Sequence, residues 1–153
     1  MMMNVIEKIK EGLRQIFHDQ HKRWREVVTG LDAEAMNWKP GEETNSIAVL
    51  VAHTCDAERF LMATALGITV DRDREAKFRT VVTGADELLK IIDKTEAEID
   101  DYIDRLNGDL LAAEHSLPRR THTGAWWAFH ALEHSTEHIG QALLTRQMYE
   151  QRS

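Results

Sequence analysis

The side chains of this sequence best suited to chemistry are its histidines, of which there are eight. His130, His134 and His138 follow one another at intervals of four residues. Residues at this spacing lie one turn apart on the same face of an α-helix, so two such imidazoles can bind one metal ion. The outer two of the three cannot easily share an ion, because eight residues rise about 12 Å along a helix. The spacing leaves two pairs open, His130 with His134 or His134 with His138, and either pair needs a further ligand from elsewhere.

His53 is the strongest candidate for that further ligand, since it is the only histidine of the second predicted helix and lies in the row that faces the core. Three neutral imidazoles around one divalent ion suit zinc, nickel, copper or iron(II). Three protein ligands also leave coordination positions open, as in catalytic sites. A water or thiol bound there would lose its proton more readily. The alternative is that these histidines are only packed or hydrogen-bonded, and that the chain is a plain helical interaction module.

Four long segments must position these residues, and each has apolar side chains at the three- and four-residue spacing of an amphipathic helix. No segment alternates long enough to predict a sheet. The predicted helices run from about residue 4 to 29, from 45 or 46 to 67, from about 83 to 107, and from about 123 to 149. A short helix is predicted around 75–78, and a long loop containing Pro118 leads into the last helix. The pattern predicts an all-α four-helix bundle with long connections.

Composition limits the classes of function. The 153 residues, 42% of them hydrophobic, suffice for one domain over 1–153 with a substantial core. The net charge of −7 argues against a nucleic-acid binder, which needs a basic surface. No apolar stretch is long enough to span a bilayer and no secretory signal is evident, so no membrane partner is expected. Because Cys55 is the only cysteine, no disulfide can form within the chain, and we expect a cytoplasmic protein.

Two segments together resemble the DinB/YfiT-like metalloenzyme superfamily. Residues 45–53, NSIAVLVAH, are similar to the family's helix-two signature, which ends in a metal-binding histidine. Residues 133–141, EHSTEHIGQ, are similar to its helix-four signature, H-x-x-x-H-x-G-Q. The resemblance implies a four-helix bundle with a long crossover after the first helix. It also implies that the metal ligands are His53, His134 and His138, with His130 a neighbour one turn away.

The resemblance further implies an activity. Characterised relatives include metal-dependent transferases that join low-molecular-weight thiols to electrophiles, and a thiol-dependent isomerase. We therefore expect a divalent-metal-dependent enzyme, either a thiol-dependent S-transferase or a metal-assisted hydrolase of a small molecule. Zinc or nickel is the expected metal, with iron as a further option. A non-catalytic metal-binding stress-response protein is the alternative, and a homodimer is expected because related bundles often pair.

Four further residues are candidates to support the ligands. Asp56, Glu137 and Gln141 can accept ring N–H groups and so orient the imidazoles. Asp56 follows His53 by three residues, which places it within reach of the same helix face. His130 is expected to pack beside the site or to line its cavity. Gly140, in the helix-four motif, is expected to let another helix approach closely.

Overall fold

The computed structural model describes residues 2–153, with side chains from Val5 onward, so Met1 of the predicted domain lies outside the described residues. The four long helices are where the apolar spacing predicts them, and the short helix near residue 75 is also present, which confirms the all-α prediction. Within the described residues, no helix is both long and apolar enough to cross a bilayer. The elements in chain order are α1 (Met2–Val28), α2 (Ala33–Asn37), α3 (Ile47–Ala65), α4 (Arg74–Phe78), α5 (Ala85–Arg105), α6 (Gly108–Ala112), β1 (Glu114–Leu117), β2 (Arg120–Thr123) and α7 (Gly124–Gln151).

The two helices that carry the candidate ligands have well-defined ends. The Ser46 hydroxyl accepts a hydrogen bond from the Val49 N–H and caps the start of α3. The Thr123 hydroxyl accepts from the Trp126 N–H and caps α7 in the same way. At the other end of α3, Gly67 has a φ of +70°, the left-handed conformation that commonly ends a helix. These local signals fix where each helix begins or stops, and so which turns carry the histidines.

Two apolar clusters form the core, and all four long helices, α1, α3, α5 and α7, contribute to both. On α1 the first cluster includes Phe17 and the second includes Trp24, with buried His21 between them. On α3, Glu58 is likewise buried between the parts of the helix that join the two clusters. Nε2 of His21 lies 2.7 Å from Oε2 of Glu58, and both side chains are fully buried. A polar pair therefore separates the two apolar clusters.

A β-hairpin occupies the segment that the sequence predicts to be a loop. Strands β1 and β2 pair antiparallel, with Leu117 opposite Arg120 across the turn. The hairpin is fixed to the bundle because the Trp127 indole N–H donates to the His115 carbonyl at 3.0 Å. The loop prediction is wrong here because four-residue strands are too short to give a readable alternation. Helices α2 and α6, of five residues each, also lie in segments where no helix is predicted.

A glycine at the start of α7 allows the hairpin end of the molecule to pack. A Cβ at Gly124 would lie 2.1 Å from the Leu110 carbonyl oxygen and 2.9 Å from that of Ala65. Any larger residue must therefore move backbone. Gly140, by contrast, is exposed, and a Cβ there would meet no described atom within 4 Å. The expectation that Gly140 admits a neighbouring helix is wrong, because this position faces away from the bundle.

Candidate metal centre

Three histidines from two helices converge at one point between α3 and α7. One ring nitrogen each from His53, His134 and His138 lies within 4.8 Å of the other two. Nε2 of His134 is 3.2 Å from Nε2 of His53 and 3.2 Å from Nε2 of His138. Two nitrogens that each bind one tetrahedral ion at about 2.05 Å are separated by about 3.3 Å. The two short separations therefore match those of imidazoles that share an ion.

The chemistry of the donor set also fits a cation. A proton on Nε2 of His134 can be donated to only one of the two neighbouring nitrogens, although both lie at the same distance. The remaining lone pairs would then face one another without a donor between them. One divalent ion satisfies all three nitrogens at once.

The electrostatic surroundings keep two of these rings neutral. Burial, together with the charges of His138, Arg72 and Arg74, lowers the pKa of His53 to about 4. Burial likewise lowers the pKa of His134 to about 3, with His138 and the other nearby histidines contributing. A metal ion binds only the neutral imidazole. Both rings are therefore in the metal-binding form at neutral pH.

The orientation of the third ring is set by a neighbour on α7. Nδ1 of His138 lies 2.7 Å from Oε1 of Gln141. Since an amide oxygen can only accept, the proton of this imidazole is on Nδ1, and Nε2 presents its lone pair to the other two histidines. Within the described residues, Nδ1 of His53 and Nδ1 of His134 have no such partner. Gln141 is therefore placed to orient the ring of His138, the role that the sequence suggests for it.

Of the other supporting candidates, Asp56 and Glu137 make no hydrogen bond to the three histidines in the described structure, whereas His130 lies beside the site as expected. Asp56 makes no hydrogen bond to a histidine in the described structure; its Oδ2 accepts from Nε of Arg72 at 2.5 Å. The suggested contact with an imidazole is thus replaced by an ion pair, because a buried carboxylate is better satisfied by a guanidinium. Glu137 is exposed on the outer face of α7. The ring of His130 stacks on Trp126 at 4.6 Å and lines the cavity beside the site.

Three arginines beside the site are absent from the sequence-based prediction. Arg72, Arg74 and Arg120 line a cavity of about 190 Å³ together with His53, His130 and His134. Arg72 and Arg74 come from the segment after α3, which the sequence predicts to be irregular apart from a short helix. Arg120 comes from the unpredicted hairpin. The clustering of Arg119 and Arg120 in the sequence is a visible signal, but only the fold reveals which of the two faces the histidines.

The comparisons with known proteins agree with this architecture. The sequence model of the DinB superfamily matches residues 16–142, which include all three histidines. No curated protein matches the sequence. Among solved structures, a conserved protein from Enterococcus faecalis has a TM-score of 0.76 at 16% identity, over 92% of this chain and 96% of that one.

Two further similar structures carry the family's name. A DinB-like protein from Bacillus subtilis has a TM-score of 0.73 at 17% identity, over 93% of this chain and 94% of the other. A DinB-like protein from Bacillus cereus has a TM-score of 0.74 at 14% identity, over 92% of each chain. At these identities the likeness establishes the fold alone.

Proposed function

We propose that this chain, which belongs to the DinB superfamily, is a metal-dependent enzyme that binds one divalent ion through His53, His134 and His138. The observation that carries the proposal is the convergence of three imidazole nitrogens, with Nε2 of His134 3.2 Å from each of the other two Nε2 atoms. The low pKa values of two of the rings support the same role, since a neutral imidazole is the ligand form. All-nitrogen donors favour zinc or nickel, with iron(II) a further option.

An open coordination position favours catalysis over a purely structural ion. Among the described residues, the group of candidate ligands contains three histidines and no fourth member. The cavity of about 190 Å³ reaches two of them, His53 and His134, so that a small molecule can approach. When bound, the metal would supply a Lewis acid that lowers the pKa of a coordinated thiol or water. We infer transfer of a low-molecular-weight thiol, or hydrolysis, in the cytoplasm as the reaction class.

The protein's own residues would hold and shield the reacting groups. Gln141 keeps the proton of His138 on Nδ1, away from the metal-binding nitrogen. Phe78 of α4 packs against the His53 ring at 4.6 Å and restricts access of water from that side. A closed site in a non-catalytic stress-response protein would need no cavity at this place. The cavity beside the histidines is thus the feature that separates the two functions.

Metal analysis of the purified protein tests the proposal. The wild-type chain, produced without a histidine tag and exposed to zinc or nickel, should retain about one ion per chain. His53→Ala and His138→Ala should lose most of it. His18→Ala is the matched control, because His18 contacts Asp100 on the surface and not the three-histidine group. Circular dichroism of each variant reports whether the bundle is intact.

Equal metal content in wild type and in the two site variants would refute the metal site. If the metal is confirmed, a screen of small thiols against model electrophiles, beside a screen of hydrolysable esters and amides, decides between the two reaction classes. Activity that disappears with a chelator and returns with zinc or nickel is the expected result. Activity that is unaffected by the chelator would contradict metal-dependent catalysis.

A further inference from the structure

The cavity beside the three-histidine group has an unusual charge. Its lining contains three arginines, Arg72, Arg74 and Arg120, and no acidic side chain. The chain as a whole carries a net charge of −7, so a lining whose charged side chains are all arginines runs against the composition of the protein. Concentration of like charge at one place costs free energy unless an anion is bound there. The lining therefore points to a ligand with negative charge.

Each arginine is held in place by a different part of the fold. Arg72 donates to buried Asp56 and lies over the Phe60 ring at 4.8 Å. This guanidinium is thus oriented and its charge partly neutralised. Since only its Nε is used by the carboxylate, its terminal N–H groups remain available to a ligand. It is a fixed donor at the wall of the cavity.

The other two arginines have weaker partners. Arg74 packs over the Phe78 ring at 4.8 Å, and its nearest carboxylate oxygen, from exposed Glu75, is 3.6 Å away. Arg120 lies 5.6 Å from the Trp127 ring and 5.9 Å from that of Trp126. Aromatic faces orient a guanidinium without neutralising it. Both residues therefore present a positive charge that no carboxylate in the described structure fully compensates.

The arginines and the histidines form one continuous site. His53 and His134 line the same cavity as the three guanidinium groups. A divalent ion on the histidines would add two positive charges at the cavity wall, which strengthens the need for an anion. Guanidinium groups bind carboxylates and phosphates with paired hydrogen bonds, which makes arginine well suited to such ligands.

We propose that the site binds a small molecule carrying an oxyanion, a carboxylate or phosphate, and that Arg74 and Arg120 bind this group. Arg72, fixed by Asp56, supplies a third donor. The remainder of the molecule then extends toward the three histidines, where the reacting atom would meet the metal. The inference rests on the proposed function and adds the chemical class of its substrate. The cavity of about 190 Å³ limits the bound part to a small molecule.

Binding of simple oxyanions tests this assignment. Inorganic phosphate and succinate are titrated separately into the full-length protein, after chelator treatment and after zinc loading, and binding is followed by amide chemical shifts. Wild type should bind at least one of the two anions, more tightly when zinc is present. Arg74→Gln and Arg120→Gln should each weaken binding about tenfold or more, because each removes a charged hydrogen-bond donor. Preference for succinate or phosphate identifies the oxyanion.

Arg119→Gln provides the matched control, since Arg119 precedes Arg120 in the hairpin turn, carries the same charge and does not line the cavity. It should bind the anion as wild type does. Weakening equal to that of Arg120→Gln would reduce the effect to net charge and overturn the proposal, as would unchanged affinity in Arg74→Gln and Arg120→Gln. Zinc uptake is measured on the same samples. Wild type that takes up zinc but binds neither anion contradicts this inference alone, whereas absence of zinc uptake contradicts the proposed function.

Discussion

Gln141 offers a sharp test of how the metal affinity is built. Its side-chain oxygen accepts the Nδ1 proton of His138 at 2.7 Å and so keeps the lone pair of Nε2 directed at the other two histidines. In Gln141→Leu this restraint is lost, while the ligand itself remains. Removal of such a hydrogen bond to a metal-binding histidine weakens metal affinity by about 10–100-fold.

The expected shift follows from linkage between binding and folding. At a free zinc concentration 100 times the wild-type Kd, binding stabilises wild type by about 2.7 kcal/mol. A tenfold weaker site gains about 1.4 kcal/mol under the same conditions, and a hundredfold weaker site about 0.4 kcal/mol. For a chain of this size, zinc should raise the Tm of wild type by about 5–11 °C and that of the variant by about 1–6 °C.

Differential scanning calorimetry with and without zinc measures both shifts. Gln147→Leu is the matched control, because Gln147 is exposed further along α7 and the substitution is the same. The control should show the full wild-type shift. If Gln141→Leu also shows it, and its Kd for zinc is unchanged, the hydrogen bond to His138 does not orient the ligand and the reasoning fails.

Three further predictions follow from other parts of the bundle. Burial alone would lower the pKa of His21, but the hydrogen bond and charge of Glu58 raise it above its ordinary value. The stabilisation is therefore complete below about pH 6.5 and is lost as the pH rises through the raised pKa. Urea unfolding should show a free energy of unfolding that declines in wild type as the pH is raised above about 6.5, and His21→Gln should lack this decline; an equal decline in both would contradict the pair's role. Gly124→Ala should lower the free energy of unfolding by about 1–3 kcal/mol or more, because the added Cβ would clash with backbone atoms. Gly12→Ala, at an open helical position, should raise the free energy of unfolding by about 0.5–1 kcal/mol. Similar thermal midpoints for the two variants would refute the close packing at Gly124. Removal of zinc with a chelator should lower the Tm of wild type and leave that of His138→Ala unchanged, and a response in both would mean that zinc binds elsewhere.

The long helices could be predicted from the sequence because their apolar spacing and caps are local signals. The position of Ser46 before an apolar run and of Gly67 after it marks the two ends of α3 without any knowledge of its neighbours. Spacing alone does not choose between the two histidine pairs. The family resemblance favours His134 with His138, and their nitrogens are the ones that converge with that of His53.

The hairpin could not be predicted, because its four-residue strands show no readable alternation and a tertiary contact holds it to the neighbouring helix. The Trp127 indole N–H on α7 donates to the His115 carbonyl on β1, and no apolar pattern encodes this hydrogen bond. The same holds for the side chain of Asp56. Its spacing from His53 suggested a contact with the imidazole, but Arg72, from a segment without clear periodicity, binds it instead. The partners of a side chain cannot be predicted from spacing when those partners come from irregular segments.

The described residues of helix α1 include none of the three candidate ligands. Their hydrogen bonds nevertheless fix the positions of α3 and α7 along the bundle axis. Through His21, α1 is tied to Glu58 on α3, and the Gln20 amide donates to the Leu132 carbonyl and to Thr136 on α7. A shift of α3 by one turn, about 5.4 Å, would separate the Glu58 carboxylate from His21 and leave it among apolar side chains. The folded state would lose several kcal/mol of stability. These contacts set the alignment of α3 and α7 along the bundle axis. The convergence of the imidazoles of the two helices therefore depends on a third helix that carries none of the three histidines.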